Sequence, residues 1–499
     1  MLFASIVYYL ASCALIQARR TTHFRRDDVR DILVSAQWSS GTTVSFPGSD
    51  NFKNATERWT TFEAPTYAAA IKPETEADVV QAMNLATANG IPFLATGGRH
   101  GYTTTLGGLQ NGLAIDLSLF DTVSIDRSAR TMTIGGGVRF RDIYELVFKA
   151  GFEIQTGAAS CPGMIGVTLG AGVGPWNGVH GLLIDALVSL RVVTANGSII
   201  ETSKEAYPDL FWALRGAGAN FGIVTYATYN LQEQVNQGQI FSADFVFPAE
   251  QNASYFKLLE SYNNGRLSDK LTISTFMSYN SSTGVHQITA NWAYLGSEED
   301  GKEAFKPVLS LNPIISDIQV YSWNSFIRTV AGGADSYLCL EDQIRDIYTV
   351  NARNISASTY EIVFQKLSTF FNKYPSARTS EIRIAMLPNQ ATLAIPDDET
   401  AYPWRDTLAY IDIILSWDET DGAAAVEAGA GSLGRAVRSD LAATSGYPTL
   451  AAYISSAHGD ETLESRYGAA KLPRLAALKK TWDPNNVFAF NNALPVQYP

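Results

Sequence analysis

Between Ile91 and Gly101 an apolar stretch, Ile91 to Ala95, empties straight into Thr96-Gly97-Gly98-Arg99-His100-Gly101. An apolar run of this kind reads as a strand. Paired glycines at its exit let backbone N–H groups turn inward, forming a concave donor nest that can hold a diphosphate. His100 stands at the lip of that nest. A structural glycine turn followed by an exposed histidine would give the same short string, so the surroundings must decide. Further clusters follow at Gly135-Gly136-Gly137, from Gly163 to Gly181 and from Gly216 to Gly222. Concentrated in one part of the chain, they imply backbone lying close against a long polar ligand such as a dinucleotide. A Rossmann site does not account for them. Gly170-Ala171-Gly172-Val173-Gly174-Pro175 has the wrong spacing, and Gly216-Ala217-Gly218 follows a helix pattern and precedes a strand.

The order of elements around these clusters is α+β. Tyr67 to Ile71 reads as a strand, and Thr75 with Asp78 forms a capping box for a helix that buries Val79, Met83 and Ala86 and stops at Gly90. Strands are expected at Leu113 to Leu117, Val123 to Ile125, Thr131 to Ile134 and Gly222 to Leu231, and helices at Phe140 to Ala150 and Pro208 to Arg215. Asp185 to Thr194 and Ser198 to Thr202 form a hairpin around Asn196-Gly197. Residues 19 to 62 read as polar and irregular. From residue 236 the character changes to long alternating strands at Gln239 to Phe247, Lys270 to Tyr279, Val285 to Leu295, Glu381 to Leu387 and Tyr410 to Trp417. Helices near Glu298 to Lys306, ended by Pro307, and Ser358 to Asn372 would cover such a sheet. Gly468 to Phe490 reads as a basic amphipathic helix closed by Trp482-Asp483-Pro484.

With 499 residues, 46% apolar and 17% charged, the chain is an ordinary globular protein of several domains. A formal net charge of −12 repels phosphate backbones and argues against a nucleic-acid partner. Leu2 to Ile16 is apolar and too short to span a bilayer comfortably. A secretory signal cleaved near Ala18 is expected, with the double arginines Arg19-Arg20 and Arg25-Arg26 allowing an anchored cytosolic chain as the alternative. Sequons at Asn54, Asn196, Asn252, Asn280 and Asn354 favour secretion and glycosylation. Once the signal is removed, no stable membrane association is expected. Of three cysteines, Cys13 lies in the signal, leaving Cys161 and Cys339. Two buried free thiols are the expectation, one disulfide between them the alternative. Five scattered histidines and no ligand-spaced pair give no metal site.

Three motifs in order make a more specific pattern: Ala95 to Gly101, Cys161-Pro162-Gly163-Met164-Ile165-Gly166-Val167-Thr168-Leu169-Gly170-Ala171-Gly172, and Pro208 to Gly216 with Asn220-Phe221-Gly222. Near the C-terminus stand Tyr467-Gly468, Leu472-Pro473-Arg474-Leu475 and Trp482 to Phe488. Together they resemble the berberine-bridge-enzyme-like branch of the vanillyl-alcohol-oxidase flavoproteins, over residues 63–235 and again 446–499. The resemblance implies a two-domain PCMH-type FAD-binding fold with an antiparallel-sheet substrate domain covered by helices. The implied division is a signal (1–18), an N-terminal segment (19–62), an FAD-binding domain (63–235), a substrate domain (236–445) and a returning C-terminal segment (446–499). The cofactor contacts it implies are Thr96, Gly97, Gly98, Arg99, His100, Gly101, Gly157, Ser160, Cys161, Gly163, Gly166, Gly172, Gly222, Ile223 and Val224. His100 matches the residue that carries FAD covalently in relatives, and a neutral imidazole is a competent nucleophile for that bond. The position of the second, cysteinyl link in bicovalent relatives falls on Ala159, two residues before Cys161, so a single link is expected, with a Cys161 link across an alignment gap as the alternative. Where many relatives carry a tyrosine that helps deprotonate substrate, this chain has Ser456, in Tyr453-Ile454-Ser455-Ser456. Tyr402 and Tyr453 are the candidate catalytic groups in its stead.

The activity implied is an FAD-dependent oxidase of secondary metabolism. Hydride passes from an alcohol-type or specialised-metabolite substrate to the flavin, and O2 as acceptor gives H2O2. The alternatives are a flavin-containing cyclase without net oxidation, and a flavin- or carbohydrate-binding protein without turnover.

Overall fold

The computed structural model describes residues 26–419 and 422–498. The expected signal, Cys13 and the cleavage position near Ala18 lie outside the described residues. A first sheet orders Thr43–Ser45, Tyr67–Lys72, Gly112–Asp116 and Phe93–Thr96, the last three strands mutually parallel. The helix Glu76–Ala88 makes the crossover between two of them. Its Thr75–Asp78 capping box is present, and Val79, Ala82, Met83 and Ala86 bury against Ile71, Leu113 and Ile115. Beside it a five-stranded antiparallel sheet orders Val123–Asp126, Thr131–Gly135, Ile223–Asn230, Leu187–Val193 and Ile199–Ser203.

The third sheet is antiparallel and seven-stranded, ordered Ile315–Ser322, Gln239–Pro248, Val285–Tyr294, Leu271–Asn280, Glu381–Met386, Ala409–Ser416 and Arg345–Ala352. Side chains alternate faces along a strand. Ile382, Ile384 and Met386, with Ala409, Ile411 and Ile413, therefore join one apolar core beneath the helices Asn252–Glu260, Ala357–Lys373 and Ala423–Ala443. The intervening residues Arg383, Ala385, Tyr410 and Asp412 face the other way. Pairing sets Arg383 opposite Asp412 and Ala385 opposite Tyr410.

Several local expectations are corrected. Residues 26–56 are ordered rather than irregular. The helix Arg26–Ser35 buries Val29 and Leu33, and the helix Asp50–Thr56 is capped by Ser49. The helix Glu298–Leu309 runs through Pro307, because the ring sits in the last turn while Phe305 and Val308 anchor it in the core. The C-terminal helix is only Leu472–Trp482, and it is not an exposed basic helix throughout. Lys479 is wholly buried, donating to the Asn220 carbonyl at 2.9 Å, to Asp483 Oδ2 at 2.7 Å and to the Phe488 carbonyl at 3.0 Å. The strands Ile315–Ser322 and Arg345–Ala352 and the helix Ala423–Ala443 were not expected from the sequence.

The expected free thiols are also corrected. Cys161 and Cys339 form a disulfide with Cα atoms 5.7 Å apart, closing a loop of sequence separation 178. Beside it, Ser160 donates from its backbone N–H and its hydroxyl to Asp335, at 2.7 and 2.6 Å. The bond ties the glycine-rich half to the segment that leads into the seven-stranded sheet. A loop this long makes the cross-link worth about 2–5 kcal/mol. Cys339→Ser should lower the thermal midpoint by several degrees, and wild type under reductant should fall to match it; an unchanged midpoint would contradict this role.

Candidate functional site

The glycine-rich loops and the outward face of the seven-stranded sheet enclose a cavity of about 340 Å³, within the range of small-molecule sites. Thr96, Gly97, Gly98, Arg99, His100 and Gly101 line one wall, joined by Gly157, Gly163 and Gly166. Ser274, Arg383, Ala385, Tyr410 and Asp412 line the facing wall, with Tyr453, Ser456 and Tyr102 between.

The glycine wall is built by backbone crossing. A Cβ on Gly97 would stand 2.1 Å from the Gly136 carbonyl oxygen, and one on Gly98 would stand 2.2 Å from the Gly163 nitrogen. Three separate segments thus meet with no side chain between them. The expectation that the glycines serve a ligand needs this addition: they also serve one another. Arg99 then takes a left-handed φ of 54° and is fixed by Asp116 at 3.1 Å and by the Glu57 carbonyl at 3.0 Å. That turn delivers His100 to the cavity.

The His100 ring stacks on Trp59 at 4.3 Å, and the guanidinium of Arg345 covers a Trp59 ring at 4.2 Å. Burial first, then the positive charges of Arg345, Arg139 and Arg58, push the imidazole down to about 3. It is neutral at any ordinary pH and keeps a nucleophilic lone pair. Its Nε2 is buried with no hydrogen-bond partner, as are Thr96 Oγ1 and Arg58 Nη1 on the same cavity. Buried polar atoms are rarely left unsatisfied. Three together on a glycine-lined wall fit a polar cofactor laid against it.

The remaining expected residues lie off the cavity. Ser160 and Cys161 are committed to Asp335 and to the disulfide. Gly172 stands behind the wall, where its N–H donates to the Tyr453 hydroxyl at 3.2 Å. A Cβ on Gly222 would meet the Val192 side chain at 2.4 Å, and Ile223 and Val224 pair with Val193 and Val192 within the five-stranded sheet. Tyr402 is fully buried one layer back, its hydroxyl 3.3 Å from that of Tyr410, which does reach the cavity. The geometry therefore does not bring Tyr402 to a ligand, whereas Tyr453 is on the wall. Sequence reasoning missed Tyr102, Trp59, Arg58, Arg383 and Asp412. For the last two a signal existed: charged residues at alternate positions of otherwise apolar strands, Ile382-Arg383-Ile384 and Ile411-Asp412-Ile413.

Comparison with known proteins agrees with this geometry. Residues 67–203 match the family model described as FAD binding domain, and residues 452–495 match berberine and berberine like. The chain is 48% identical over 484 residues to the FAD-linked oxidoreductase srdI of Neurospora crassa, covering 96% of this chain and 95% of that one. It is 43% identical over 483 residues to the FAD-linked oxidoreductase fogF of Aspergillus ruber, covering 96% and 97%. Among solved structures, BBE-like 1 of Physcomitrella patens superposes with a TM-score of 0.79 at 22% identity, covering 94% of this chain and 100% of that one. The xylooligosaccharide oxidase of Myceliophthora thermophila C1, solved with xylobiose, superposes with a TM-score of 0.77 at 23% identity, covering 92% and 98%. The chain belongs to the berberine-bridge-like family of FAD-linked oxidoreductases. Its α+β fold is that of the PCMH-type FAD-binding proteins.

The C-terminal segment is pinned to this site by His458. Its backbone carbonyl accepts from the Thr104 N–H at 2.7 Å, and its ring stacks on Tyr348 at 4.2 Å between Asp346 and Asp460, each 3.1 Å away. Burial alone would lower its pKa, but the two carboxylates overrule it and hold the imidazole up at about 9. A folded pKa above the unfolded one stabilises fully below about 6.5, and the contribution is lost as pH rises through about 9. His458→Gln should lower the thermal midpoint by at least about 2 °C at pH 6 and by much less at pH 10. Equal losses at both pH values would contradict the ion-pair account.

Proposed function

We propose that FAD is held covalently through His100 and that the protein oxidises a hydroxylated small molecule with O2 as acceptor, releasing H2O2. The observation that carries this reading is the neutral, stacked His100 with a buried Nε2 that has no protein partner. Thr96 to Gly101, with Gly157, Gly163 and Gly166, would hold the cofactor. FAD, when bound, supplies the two-electron acceptor for a substrate C–H bond. The disulfide leaves Cys161 no thiol, which supports a single link.

The chain's own groups do the rest. Ser274, Arg383, Asp412 and Tyr410 give one wall of the cavity hydrogen-bonding groups, which suit a substrate rich in hydroxyls, while Ala385 and Leu387 exclude water. The xylobiose in the Myceliophthora thermophila structure is a ligand of that kind. The same reading places the mature protein in the secretory pathway, without stable membrane attachment and without a nucleic-acid partner. A disulfide between distant segments is typical of oxidising compartments, and the sequon residues Asn54 and Asn196 are exposed.

The test is anaerobic mixing of the purified protein with a panel that includes xylobiose, benzyl alcohol and other primary and secondary alcohols. At least one member should bleach the flavin within the mixing experiment, and admitting air should restore the colour with stoichiometric peroxide. A product of unchanged mass formed without bleaching would replace the oxidase with the cyclase. Neither bleaching nor product across the panel would contradict both.

A further inference from the structure

His100 is held between two arms of the chain. On one side Trp59 lies against the imidazole, with ring centroids 4.3 Å apart and planes inclined by 19°. His100 Nε2 has no hydrogen-bond partner, so stacking rather than a polar contact at that atom holds the plane of the ring. Trp59 is fixed in turn by the segment around Cys339. Its indole N–H donates to the Leu338 carbonyl at 2.5 Å, and the Arg345 guanidinium covers its ring at 4.2 Å. On the other side the backbone of His100 follows the Cys161 segment. Gly163, two residues past Cys161, is the residue whose nitrogen leaves no room for a Cβ on Gly98. The Cys161–Cys339 bond joins the two arms and closes a ring of contacts around the imidazole.

We propose that Trp59 is a positioning residue for attachment of the flavin to His100, and that the Cys161–Cys339 bond acts through it, so that thiol oxidation comes before the covalent link and sets its rate. The inference rests on the covalent reading above. Oxidation of the two thiols passes two electrons and two protons to a disulfide donor of the oxidising compartment, which is reduced to two thiols. In the attachment, a C–H bond of the cofactor's ring methyl group and the imidazole N–H break and one C–N bond forms. The two electrons and two protons released go to O2, giving H2O2.

The arms are also joined without the disulfide, and the division of labour follows from where each tie falls. The Trp59 backbone N–H reaches the Arg99 carbonyl at 3.4 Å, Arg99 Nε donates to the Glu57 carbonyl at 3.0 Å, and Arg58 Nη2 donates to the Gly101 carbonyl at 2.5 Å. These contacts hold the main chain on both sides of His100 and keep the glycine wall assembled in the reduced protein. The Ser160–Asp335 pair grips the start of the short helix Asp335–Leu338. The disulfide grips its far end, next to the Leu338 carbonyl that receives the indole. Reduction therefore frees the indole more than the wall. Attack requires an aligned lone pair, and a misplacement of about 1 Å costs about a hundredfold in rate. FAD binding survives reduction while bond formation slows.

The full-length chain, synthesised without flavin, tests this when FAD and air are added well below the thermal midpoint. Total bound flavin is followed by quenching of FAD fluorescence, and attached flavin by its retention in the acid precipitate. The disulfide-bonded form should gain acid-stable flavin at least about tenfold faster than the same protein held reduced by a phosphine, and than Cys161→Ser/Cys339→Ser, with total binding equal in all three. Trp59→Leu should attach slowly whether the thiols are oxidised or reduced. Trp59→Phe keeps a stacking ring without the N–H tie to Leu338, and should fall between with a weaker response to reduction. Equal attachment rates with and without the disulfide overturn the proposal. So does loss of FAD binding on reduction, which makes the bond a folding element only, and so does an undiminished disulfide response in Trp59→Leu. If FAD binds but no form gains acid-stable flavin, the covalent reading itself is refuted and the proposal falls with it, whereas equal rates refute the proposal alone.

Discussion

Everything at the site depends on a crossing of bare backbones. Gly97 against the Gly136 carbonyl and Gly98 against the Gly163 nitrogen leave no room for a Cβ on either. That contact locks the exit of the strand Phe93–Thr96 to the turn after Thr131–Gly135 and to the start of the helix Met164–Gly170. Any side chain there would force the segments apart, moving Arg99 and with it His100. The glycines thus fix where a cofactor can lie as well as how closely it can be approached.

On the opposite side, position follows from register rather than from close approach. Antiparallel pairing of Glu381–Met386 with Ala409–Ser416 sends every second residue into the helix-covered core and the others into the cavity. A slip of one residue would bury Arg383 and Asp412 under the helices and put isoleucines against the ligand. The two halves are then clamped near His100. Arg345 covers Trp59 and donates to its carbonyl, the Trp59 indole donates to the Leu338 carbonyl, and the Cys161–Cys339 bond lies beyond. Burial keeps the imidazole neutral, and the Arg345 charge that clamps the halves adds to that effect.

Much of this was legible in the sequence where local signals agree. The Thr75–Asp78 box, the alternating strands from Gln239 onward and the Asn196-Gly197 hairpin are set by neighbours in the chain, and each formed as read. That His100 reaches the cavity agrees with the sequence reading, although the glycine pair before it also has a structural use, the backbone crossing with Gly136 and Gly163. What stayed hidden depends on distant partners. The disulfide needs two segments 178 residues apart to meet, and the Tyr102–Ser456 contact needs 354. The exposed edge strand Ile315–Ser322 carries no apolar alternation of burial to announce it. Tyr402 was misjudged because a loop tyrosine gives no sign of depth; here it backs Tyr410 instead of meeting the cavity.

The central claim is that His100 is a neutral nucleophile poised for a covalent flavin. Digestion of acid-denatured protein followed by peptide mass analysis tests it most directly. The account predicts that the peptide containing His100 carries the full mass of FAD less two hydrogens, and that the peptide containing Cys161 carries none. Recovery of all the flavin free in the acid supernatant, or on any other peptide, would contradict it.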